Sequence, residues 1–126
     1  MVKGILAAAA GALFLGVFAQ PTQASGWGIH RETLTFTAPI VLPGGRVLAA
    51  GSYIFEIPSV VASHAVVRVS SRDGRHIYLT QFTRDVPASK RAGRAPVTFR
   101  EVPAGSPRPV DTWYPTADVS GHQFIY

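Results

Sequence analysis

Four histidines, seven carboxylates and ten arginines are the side chains of this 126-residue chain best suited to chemistry, and their spacing is the first clue to what it does. His30, His64, His76 and His122 each lie more than ten residues from the next. A zinc site gathers three or four ligands, usually with short local spacings or a cysteine pair. The chain has no cysteine, and its one methionine is Met1, so the soft ligands that copper favours are missing as well. His64, His76 and His122 are the only candidates for a small-ligand or metal carrier acting through surface histidines, and no resident cofactor is expected. Ser120-Gly121-His122 brings a hydroxyl near an imidazole. There is no G-x-S-x-G elbow, however, and sequence adjacency does not make a nucleophile, base and orienting acid converge. No catalytic residue is assigned and no enzyme activity is expected. The carboxylates Glu32, Glu56, Asp73, Asp85, Glu101, Asp111 and Asp118 are dispersed, which reads as solvated faces and surface ion pairs.

The arginines are less evenly spread. Arg84, Lys90, Arg91, Arg94 and Arg100 fall within seventeen residues, with Asp85 the only acid between Arg84 and Arg100. A guanidinium fork matches phosphate, sulfate and carboxylate geometry, so these five are the candidate anion-binding residues. Val86–Pro96 has no periodicity and reads as an exposed basic loop carrying most of them. The implied partner is an anionic component or an acidic protein patch. Nucleic acid is not expected, because only Phe82 and Phe99 interleave these cations as stacking surfaces.

The elements that must position these groups begin after an unusual start. Met1-Val2-Lys3 is short and positive, Gly4–Ala19 has no charged side chain, and Gln20-Pro21 leads into Thr22-Gln23-Ala24. A charged start, an apolar run and a small-residue site form the pattern of a secretory signal peptide. The apolar run is also short of the ~20 residues needed to cross a bilayer. The expectation is a leader over 1–24, cut after Ala24 or else after Ala19, and a mature protein in the periplasm or outside the cell with no membrane span. Eleven cations against seven anions then remain, a net charge of +4. The chain has no asparagine, which excludes N-glycosylation, and without cysteine it has no disulfide. About 100 residues with an ordinary apolar core must hold the fold.

Residues 25–30 read as a flexible mature N-terminus and 31–126 as one domain. Leu34 and Phe36 alternate with threonines, which is the period-2 pattern of a half-buried strand. Tyr53, Phe55 and Ile57 share a face opposite Ile54 and Glu56, and Ala65, Val67 and Val69 oppose Val66 and Arg68. Asp73-Gly74 between two apolar runs signals a hairpin. Val97–Glu101, Val110–Tyr114 and His122–Tyr126 supply the later strands. No segment after Ser25 keeps a 3.6-residue period, and prolines punctuate the connections. The expected fold is all-β, a single antiparallel β-sandwich of about seven strands. His122–Tyr126 is the strand expected to offer an edge for a homodimer.

Leu48-Ala49-Ala50-Gly51-Ser52-Tyr53-Ile54-Phe55 resembles the L-x-A-G-x-Y-x-F element of exported β-domains. Val97-Thr98-Phe99-Arg100-Glu101, Trp113-Tyr114-Pro115 and Gly121-His122-Gln123-Phe124-Ile125-Tyr126 follow in order. Together they resemble a family of small exported bacterial all-β proteins of no assigned activity. Thr116 stands where that pattern has a turn glycine, and Gln123 where it has an acid. The resemblance implies a fold and a compartment, and no chemistry.

Overall fold

The computed structural model describes residues 17–20, 31–58, 66–90, 93–116 and 118–126. They form eleven strands: β1 (Val17–Gln20), β2 (Arg31–Phe36), β3 (Ile40–Leu42), β4 (Arg46–Leu48), β5 (Gly51–Glu56), β6 (Val66–Ser71), β7 (Ile77–Phe82), β8 (Arg84–Pro87), β9 (Val97–Phe99), β10 (Arg108–Trp113) and β11 (Ser120–Gln123). A single 3-10 turn, η1 (Ala88–Lys90), follows β8. The strands make two sheets, one in the order β1-β2-β5-β6-β7 and one in the order β4-β3-β10-β11-β8, with β9 also paired to β10.

Alternation places the core in the first sheet. Leu34 and Phe36 on β2 and Val67 and Val69 on β6 are buried, while their neighbours face outward or lie part-buried, except Ser70, which is buried beside Val69. β2 and β5 pair over six residues, with Arg31 opposite Glu56 at one end, where the two side chains lie 3.6 Å apart. Thr35 and Ser52, also opposite, share a 2.8 Å hydroxyl contact. The β6–β7 reversal is the Asp-Gly turn read from the sequence. Gly74 takes φ +77°, which a side chain would resist, and its N–H donates to the Ser71 carbonyl.

Side chains of both sheets meet in one cluster. The Phe55 ring from β5 meets Trp113 of β10 at 5.8 Å and Phe124 at 6.2 Å, both edge-on, and Phe36 of β2 meets Phe99 of β9 at 6.3 Å. Edge-to-face contact is favoured because it sets positive ring edges on negative faces. Tyr53 is buried in the same cluster, and its hydroxyl donates to the Ala49 carbonyl.

The structure departs from the sequence reading in four respects. Among the described residues there are eleven strands, against about seven expected. β3, β4 and β8 are three or four residues long, too short for alternation to register, and β1 falls within the segment read as a leader. The sheets are not wholly antiparallel, since Arg108 and Pro109 of β10 run parallel to Ile40 and Val41 of β3. That pairing joins segments almost seventy residues apart, a separation at which a parallel crossover is easily accommodated. The basic loop begins as a strand, with Arg84–Pro87 paired to Ser120–Gln123 through a backbone ladder that shows no apolar pattern. Finally, the last strand ends at Gln123 and lies between β10 and β8, so it offers no edge for a second chain. β7, β4 and β8 are edges, and β1 is the edge beyond β2. β2 is interior only through its four-residue pairing with β1.

Candidate functional site

The residue types richest in chemistry meet at a buried clasp between the sheets. Glu32 lies on the same face of β2 as Leu34 and Phe36 and is 4% exposed. Its Oε1 accepts the Trp113 Nε1–H at 3.0 Å, and its Oε2 accepts the Thr116 backbone N–H at 2.8 Å. Trp113 packs in turn against the His122 ring, with centroids 5.7 Å apart. His122 is 2% exposed, and its Nδ1 lies 3.4 Å from the hydroxyl of buried Thr83. A carboxylate, an indole, an imidazole and a hydroxyl thus form one chain of contacts. Both carboxylate oxygens of Glu32 are engaged by donors, and the group is closed off from solvent. A base held in that way stitches β2 to β10 and presents nothing to a substrate.

Two expectations change here. Glu32 is a buried carboxylate, not a solvated one, because it falls in register with Leu34 and Phe36. His122 is not a surface histidine, since its strand is roofed by Trp113 and flanked by β8 and β10. Of the other two carrier candidates, His76 is exposed and His64 lies outside the described residues. Among the described residues no three of His, Asp and Glu gather as metal ligands would.

The five anion-binding candidates fare differently from one another. Arg84 is exposed on β8 opposite Gln123, Lys90 is exposed at the end of η1, and Arg94 is exposed in the turn that follows. Arg91 lies outside the described residues. Arg84, Lys90 and Arg94 make no ion pair among the described residues. Arg100 is committed elsewhere. Its Nε lies 3.5 Å from Asp111 Oδ1, and its guanidinium sits 4.3 Å over the Tyr126 ring. The Tyr126 hydroxyl reaches the Val41 carbonyl at 2.9 Å and the Val110 carbonyl at 2.7 Å, so one proton is shared between β3 and β10. Burial pushes the Tyr126 phenol up to about 12, and neighbouring Asp111 adds to the rise against the opposing pull of Arg100. This latch ties Tyr126 to β3 and β10 and places Arg100 between a carboxylate and a ring.

A second group of basic side chains stands outside the Arg84–Arg100 stretch. At the β6–β7 hairpin, Ser71, Arg72, Asp73 and His76 line an open cleft of about 450 Å³. The turn accounts for Asp73, whose Oδ1 accepts the Ser71 hydroxyl at 2.7 Å and the Arg75 N–H at 2.9 Å. Those two bonds, the backbone one first, hold the Asp73 carboxyl below its ordinary range. The His76 ring stacks on Tyr78 with centroids 6.4 Å apart, and the Arg46 guanidinium, from edge strand β4 of the other sheet, lies 5.8 Å from the Tyr78 ring centre. Tyr78 is itself braced edge-on by Tyr53 at 5.8 Å. The signal available in sequence was the run Arg72-Asp73-Gly74-Arg75-His76 beside Tyr78, and Arg46 joins it only through the fold. A smaller cleft of about 190 Å³ lies along the proline-rich connection, between Glu101 and Arg108.

Fold and site together define an all-β, two-sheet protein with a buried polar clasp and an exposed basic exterior. No protein-family model, curated protein or solved structure matches the chain.

Proposed function

We propose that this protein is a noncatalytic exported module of the cell envelope, a single β-sandwich built from the two sheets, that meets an anionic partner through exposed cations. The observation that carries the proposal is the succession of Arg84, Lys90 and Arg94 along β8, η1 and the following turn, exposed and without ion pairs among the described residues. Exposed guanidinium and ammonium groups attract oxyanions, and the net charge of +4 left after loss of Lys3 with the leader adds a long-range attraction of the same sign. The richest chemical cluster, around Glu32 and His122, is used internally, which favours binding over catalysis. The N-terminal pattern of Lys3, the apolar run and Ala24 supports export to the periplasm or beyond.

The test is retention of the tagged protein on envelope extract at low salt, followed by a salt wash. Specific release by salt, lost when Arg84, Lys90 and Arg94 are replaced by Gln, supports the proposal. Flow-through at low salt refutes it. Mass spectrometry of the exported protein should find an N-terminus at Ser25, and an intact Met1 in the envelope fraction would refute the export reading.

A further inference from the structure

We infer that the β6–β7 hairpin end is a preorganised oxyanion site, in which Arg72 and His76, with Arg46 brought in across the sheets by Tyr78, take the sulfate or phosphate group of an anionic ligand. The inference deepens the proposed function and rests on its anionic partner, but it assigns the contact to a different surface. Three observations carry it. First, Arg72 and His76 line one opening of ~450 Å³, His76 stacks on Tyr78, and Arg46 from β4 lies 5.8 Å from the centre of that same ring. Second, the site's arginine charges are without ion pairs among the described residues. Arg31 and Arg100 have carboxylate neighbours, whereas Arg46, Arg72 and Arg75 make no ion pair among the described residues. The one acid at the cleft, Asp73, directs its carboxylate at the hydroxyl and N–H of its own turn.

Third, the frame of the site is fixed before a ligand arrives. The His76 backbone N–H donates to the Ser71 hydroxyl at 3.0 Å, the Ser71 backbone N–H donates to the His76 carbonyl at 2.8 Å, and Tyr53 braces Tyr78, the ring that carries His76 and Arg46. Cations already ordered lose less rotamer freedom on binding, which is where affinity for a small anion is usually lost. A tetrahedral oxyanion has enough acceptor oxygens for two guanidinium groups and an imidazole N–H at once, and guanidinium groups suit it better than ammonium groups. Among the described residues, Arg46 is set against an aromatic ring in this way and Arg84, Lys90 and Arg94 are not.

The experiment is an amide-resolved NMR titration of the purified protein with two probes, inorganic phosphate and a sulfated oligosaccharide. Wild type is compared with Arg46→Gln/Arg72→Gln and with Arg84→Gln/Lys90→Gln/Arg94→Gln. All five positions are exposed or edge positions, and an unchanged circular dichroism spectrum checks that each variant is folded. Expected are shifts centred on residues 46 and 71–78, and about five- to tenfold weaker binding in the hairpin variant only, as loss of charge-assisted contacts implies. Response to phosphate identifies the free anion as sufficient, and response to the oligosaccharide alone identifies a sulfated or phosphorylated glycan; both support the site. Binding lost only in the Arg84/Lys90/Arg94 variant overturns the hairpin site and leaves the proposed function standing. No binding of either probe by wild type at low salt overturns the hairpin site and leaves the proposed function to the envelope-retention test.

Discussion

Replacing Glu32 by Ala should be among the most damaging single substitutions in the molecule, although no catalytic role is assigned to it. The change leaves the Trp113 Nε1–H and the Thr116 N–H without their acceptor. Trp113 is fully buried, so its indole N–H has no water to turn to, at a cost of about 2–3 kcal/mol. Thr116 is exposed and its N–H is only part-buried, so water can replace the lost acceptor and the cost there is about 1 kcal/mol. Removing a buried carboxylate also relieves its desolvation, which offsets part of this, while the vacated volume adds a penalty of similar size. The net loss is about 3 kcal/mol, against the roughly 5–15 kcal/mol that stabilises a domain. At about 4–8 °C per kcal/mol for a domain near 100 residues, Tm should fall by roughly 12–24 °C. Glu32→Gln keeps one acceptor oxygen and should cost about half as much. The assay is urea unfolding followed by Trp113 emission in a Trp27→Phe background. An Ala variant within ~0.5 kcal/mol of wild type, or a Gln variant as damaged as the Ala variant, would refute the clasp as a hydrogen-bonded link between the sheets.

Two further perturbations test other parts of the fold. Gly121→Ala should destabilise by about 2–3 kcal/mol, because its methyl would lie 2.5 Å from Tyr114 Cε1 and 2.9 Å from Thr112 Cγ2, both on buried residues. Gly74→Ala, with nothing within 4 Å but φ at +77°, should cost only about 1–2 kcal/mol from its backbone; equal urea midpoints for the two variants would contradict the close approach at Gly121. At high pH the Tyr126 latch should release. Its folded-state phenol is raised, so its contribution is complete below the ordinary pH 10 and is lost as pH climbs through about 12. Tyr53 is raised in the same direction, by burial first and by neighbouring Tyr78 second. In a rapid-mixing absorbance titration, Tyr126→Phe should therefore remove a late ionisation step that wild type shows. A wild-type titration with the same late steps as Tyr126→Phe would rule out the latch.

By itself the sequence determined the strands whose two faces differ. Leu34 and Phe36, Tyr53, Phe55 and Ile57, and Val67 and Val69 are buried as alternation required, and the reversal at Asp73-Gly74 lies where turn chemistry put it. These are local properties, set by side-chain period and by a glycine free to take positive φ. Even the burial of Glu32 was legible in principle, since it shares the register of Leu34 and Phe36. What alternation withheld was a reason for a carboxylate to be there, because its partner Trp113 lies 81 residues away. The tertiary structure alone decided the rest. β3, β4 and β8 are too short to carry a pattern and exist because a neighbour completes their backbone hydrogen bonds. The parallel β3–β10 pair, the interior place of β11 and the meeting of Arg46 with Tyr78 depend on which strands the two sheets bring side by side. Charge in sequence drew attention to Arg84–Arg100, yet Arg100 is set beside Asp111 and over the Tyr126 ring, while Arg46 and Arg72 make no ion pair among the described residues. A side chain's charge is written in the sequence. Whether that charge is spent within the molecule depends on its neighbours in space.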